Sequence, residues 1–61
     1  MHFHTANACI SKIRVQEVEL RDLRESLSNR HCSAVTLRHV QSAIDALKYA
    51  REQIVAEEYE Y

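Results

Sequence analysis

Cys9, Cys32, His31 and His39 are the residues whose types could do chemistry, as thiolate nucleophile with imidazole base or as soft-metal ligands. Their spacing argues against both. Cys9 and Cys32 stand 23 residues apart, about 35 Å if a helix runs between them. A disulfide needs Cα atoms within about 7 Å, so neither an intrachain bridge nor a shared zinc site fits. His31 and Cys32 are neighbours in sequence, which is not the geometry of a nucleophile and its base. The chain has no Gly, hence no loop of the kind that cradles phosphates. His2 and His4 flank Phe3 without a third ligand. The expectation is a non-enzyme with no cofactor and no metal. Cys9 reads as core, and His31 and Cys32 read as turn residues.

Charge is the next candidate. The formal net charge is −1, so nothing pulls broadly toward phosphate. Residues 1–51 carry eight Lys/Arg against five Asp/Glu, and residues 52–61 carry four Glu and no base. Arg24, Arg30 and Arg38 gather toward the middle of the chain, where a helical face can meet RNA or DNA. Glu17, Glu19, Asp22 and Glu25 dilute that field, which makes nucleic acid the alternative reading.

These residues must be positioned by helices. Leu37, Val40, Ile44, Leu47 and Ile54 recur at spacings of three and four, with Arg51 the one break. That is a heptad seam, not the period of a strand. Small residues flank it at Ala43, Ala46 and Ala50. Upstream, Ala6, Cys9, Ile13, Leu20, Leu23 and Leu27 share one side of a helix, with Ile10 at its edge, Gln16 inside the stripe and Glu17 bordering it. Val15 and Val18 lie opposite, a possible second contact face. Glu17–Arg21, Asp45–Lys48 and Lys48–Glu52 read as surface pairs. Without Gly or Pro, long helices joined by one polar turn are expected.

The reading is all-α: helix 1 over about 6–28, a turn at about 29–33 and helix 2 over about 34–58, a single helical-hairpin domain. Met1–Thr5 reads as an extended arm, Thr5 or Asn7 as the first N-cap, Asn29 as a left-handed C-cap, and Ser33, with Thr36 as its alternative, as the second N-cap. A short turn makes the helices antiparallel. With paired positions summing to about 62, Leu27 meets Leu37, Leu23 meets Val40 and Ile13 meets Leu47. The same rule sets His2 and His4 beside Glu57, Glu58 and Glu60.

A chain of about 60 residues buries only about 60% of its unfolded surface. One layer of contact leaves both stripes wet at their edges, so a homodimer closing a four-helix bundle is expected, through a seam of Ile13, Leu20, Leu23, Leu27, Leu37, Val40, Ile44, Leu47 and Ile54. A further protein partner is expected, of unknown identity. Two cysteines fit a reducing cytoplasm. Met1–Ile10 lacks the pattern of a signal peptide, and no apolar run is long enough to span a membrane.

In its length, its start Met1-His2-Phe3-His4-Thr5-Ala6-Asn7-Ala8-Cys9 and its Gly-free hairpin, the chain resembles the very small helical proteins of temperate-phage early regions. It is similar in style to those encoded between the exonuclease and excisionase genes of lambdoid phages. The resemblance implies an accessory factor in the host cytoplasm. Such a factor modulates host physiology or the lytic–lysogenic decision through protein contacts. It implies no catalytic or ligand residue.

Overall fold

A computed structural model describes residues 3–59, as two helices, α1 (Phe3–Asn29) and α2 (Ala34–Tyr59), that pack against each other as a hairpin. α1 begins earlier than its polar residues suggest. Phe3, His4 and Thr5 are helical, so the described part of the expected extended arm is a first turn of helix, and Thr5 and Asn7 lie inside the helix and not at its cap. Nothing in this stretch forbids helix: it has no Pro or Gly, and Ala6 and Ala8 favour it.

The turn between the helices is built from backbone hydrogen bonds. The Cys32 N–H donates to the Leu27 carbonyl at 3.1 Å, and the His31 N–H donates to the Ser28 carbonyl at 3.1 Å. These are the six-to-one and five-to-two bonds that close a helix around a left-handed residue. That residue is His31, at φ 60°, and not Asn29, which stays helical. Leu27 and Cys32, the two residues joined by the six-to-one bond, are both half-buried.

The start of α2 follows expectation. The Ser33 hydroxyl accepts from the Thr36 N–H at 3.2 Å, and its carbonyl accepts from the Leu37 N–H at 3.1 Å. Ser33 therefore satisfies an orphan donor of the first turn as an N-cap does. Thr36, the alternative cap, holds its own hydroxyl 3.0 Å from that of Ser33.

The facing rows of the two helices show where the core sits. On α1 the covered positions include Ala6, Ile10, Ile13, Glu17, Leu20, Arg24 and Leu27, an unbroken alternation of four and three. On α2 they include Leu37, Val40, Ile44, Leu47, Arg51, Ile54 and Glu58, with Gln41 beside them. Among the described residues, only Ala6 and Ile44 are fully buried apolar residues. Relative to the expected stripe, α1 is rotated toward Ile10, Glu17 and Arg24. Leu23, expected in the seam, is 45% exposed, and Gln16 is exposed. The rotation has a physical cause: Arg51 interrupts the seam of α2, and turning Glu17 inward gives that guanidinium a counter-charge. The hairpin measures 46 × 16 × 10 Å, one layer of helices thick.

Candidate interaction surfaces and the buried ion pair

Glu17 is the one buried charged residue among those described, 2% exposed. Arg51 reaches it from α2 with two bonds: Nε donates to Oε2 at 2.9 Å and Nη2 to Oε1 at 3.2 Å. This is the bidentate fork that guanidinium and carboxylate form best. Arg21, one turn on along α1, brings its Nη2 to 3.9 Å from Oε1, the expected i,i+4 partner in a looser geometry. The hydrogen bond from Arg51 holds the Glu17 carboxyl below its ordinary range against the opposing effect of burial, with the charges of Arg51, Arg21 and Arg14 adding to it. Arg51 is held more basic than usual by the same bond. Among the described residues, the expected Asp45–Lys48 and Lys48–Glu52 pairs do not come within 4 Å. Asp45 accepts instead from the Gln41 amide at 3.0 Å.

Arg24, the second polar residue in the α1 row, donates from Nη1 to Gln41 Oε1 across the hairpin. The chain Arg24–Gln41–Asp45 links the helices near the turn. It also bears on the three arginines singled out for nucleic acid. Arg24 is half-buried and bonded within the hairpin, while Arg30 and Arg38 are exposed. The three are not an equivalent set of free cations.

Of the expected seam, Ile44 is buried, and Ile13, Leu20, Leu27, Leu37, Val40, Leu47 and Ile54 are half-buried. Val15 and Val18 are 56% and 53% exposed, and with Arg14 and Glu19 they line a shallow, almost wholly apolar depression of about 400 Å³. Val35 and Tyr49 are also exposed. A groove of about 480 Å³ runs between the helices toward the open end of the hairpin, where Ile10 and Val55 meet Arg14 and Glu58.

Cys9 and Cys32 are free thiols, both half-buried. Among the described residues no three His, Cys, Asp or Glu side chains gather as a metal would need, and no helix is long and apolar enough to cross a membrane. His2, Glu60 and the side chain of His4 lie outside the described residues, and with them the expected meeting of the first residues and the acidic tail. No family model, curated protein or solved structure matches this chain.

Sequence reasoning missed the Glu17–Arg51 pair. Its signal was present: Glu17 and Arg51 stand in mainly apolar rows with opposite charge. Hydrophobicity alone ranks Leu23 above Glu17 and so points the helix the wrong way.

Proposed function

We propose that this chain is a non-enzymatic interaction protein that works as a homodimer, two hairpins closing a four-helix bundle. The observation that carries this reading is surface area. A folded monomer of 7.1 kDa exposes about 4,100 Å². This chain exposes 4848 Å², an excess of about 750 Å², close to the roughly 800 Å² that each partner buries in a stable interface. Val15 and Val18 then serve a second protein, because they lie on the outer edge of α1, away from α2. The role of an accessory regulator in a host cytoplasm rests on the resemblance to small phage proteins.

The test of the second contact is the Val15→Ser/Val18→Ser variant. It should keep the helicity and the mass of the unchanged protein while losing capture of its partner from host lysate. Unchanged capture contradicts the assignment of that face. The nucleic-acid alternative is tested with duplex and stem-loop probes. Binding carried by Arg30 and Arg38 must weaken steeply as salt rises. Submicromolar binding at physiological salt, lost in Arg24→Ala/Arg30→Ala/Arg38→Ala, would replace the protein-partner reading.

A further inference from the structure

The two broad faces of the hairpin differ in kind. Advancing 100° per residue from the facing rows, one flank carries Arg14 and Arg21 of α1 and Gln41, Lys48 and Glu52 of α2. The other carries Cys9, Gln16 and Leu23 of α1 and Ala43, Leu47, Ala50 and Ile54 of α2. In an antiparallel pair these flanks fall on the same side of both helices, so the second face is mainly apolar along its middle, with Thr5 and Thr36 toward its ends and Lys12, His39 and Glu57 at its rims. Gln16 is the polar residue at its centre.

We propose that a second copy of this chain covers this apolar face in inverted orientation, the turn of each hairpin against the open end of the other. The proposal rests on the dimer reading above and fixes what that reading leaves open, the face and the direction. Three observations carry it. The first is the excess surface, which matches what one partner covers.

The second is charge. Residues 21–41, around the turn, hold Arg21, Arg24, Arg30 and Arg38 against Asp22 and Glu25. The open end, over residues 5–10 and 52–58, holds Glu52, Glu57 and Glu58, with Lys12, Arg14 and Arg51 the nearest bases inward. Inversion sets the basic end of each copy beside the acidic end of the other. The upright arrangement would gather both acidic tails at one end, where like charges repel.

The third is shape. Inverted hairpins stack α1 on the partner's α1, antiparallel, about a two-fold axis. Placed at Gln16, near the middle of Phe3–Asn29, the axis brings Leu23 over the small Cys9 of the second copy, since each lies seven residues from it. Gln16 then meets its own symmetry mate, and an amide can both donate to and accept from an identical amide. Leu23, left out of the hairpin's own core, gains a place to bury.

Disulfide trapping reads the arrangement directly. In a Cys32→Ser background, Leu23→Cys leaves thiols at positions 9 and 23. Within one chain these are about 21 Å apart along α1, too far to bond. Oxidised glutathione should therefore yield a covalent dimer whose peptide map joins position 9 of one chain to position 23 of the other. Leu23 is exposed in the single hairpin, so the substitution does not open its core. Sedimentation of the unchanged chain separates the outcomes. A dimer in sedimentation with no bond between positions 9 and 23, or with bonds joining like positions, overturns the inverted face while the dimer reading stands. A monomer in sedimentation overturns both.

Discussion

Glu17 and Arg51 each cost desolvation where they sit, and each is tolerable because of the other. A buried pair adds little net stability over apolar residues of the same shape, but losing one partner strands a charge. Arg51→Met should therefore lower the urea midpoint far more than Glu17→Leu/Arg51→Leu, which should come close to the unchanged protein. Equal losses in the two variants would show that the pair is not the source. The pH dependence follows from the same contact. The folded pKa of Glu17 lies below its ordinary value of 4.5, so its contribution is present above that value and is lost as pH falls through the lower folded one. Thermal melts should show a steeper decline below about pH 4.5 in the unchanged protein than in Glu17→Gln. The pair's use is register: a polar break in each row lets the helices align at one setting. That role was legible in retrospect and hidden in advance, because an apolar count treats Glu17 as surface and Leu23 as core.

At the scale of elements, the helices were legible and their ends only partly so. The three-four spacing of Leu37, Val40, Ile44 and Leu47 and the missing Gly and Pro announced two long helices. Ser33 announced the second start, because its side chain does the capping. The first stop was hidden, because the left-handed position is chosen by the backbone bonds from His31 and Cys32 and not by side-chain preference. A non-Gly residue there carries a cost of about 1 kcal/mol. His31→Gly should raise stability by about 0.5–1 kcal/mol in denaturant titration. A loss would mean that the His31 side chain holds the turn. Ser33→Ala should cost about 1 kcal/mol, and no change would remove the capping argument. Ile44→Ala, at the best-buried large residue, should cost about 2–5 kcal/mol.

For the whole molecule, one layer of two helices is an incomplete enclosure. Among the described residues the fully buried apolar ones are Ala6 and Ile44, while Val15, Val18, Leu23, Val35, Tyr49 and Val55 stay exposed. The sequence announced this shortage through length alone, since about 60 residues cannot surround a large core. It did not show which face is left over, because that depends on how far each helix is rotated, and the ion pair sets the rotation. A protein completed by its own copy unfolds and dissociates together, so its stability must rise with concentration. Thermal unfolding followed by circular dichroism from micromolar to millimolar concentration tests this most directly. The account requires the midpoint to climb with concentration and the mass in sedimentation to be that of two chains. A sharp melt at one temperature over the whole range, from a species with the mass of one chain, would contradict it.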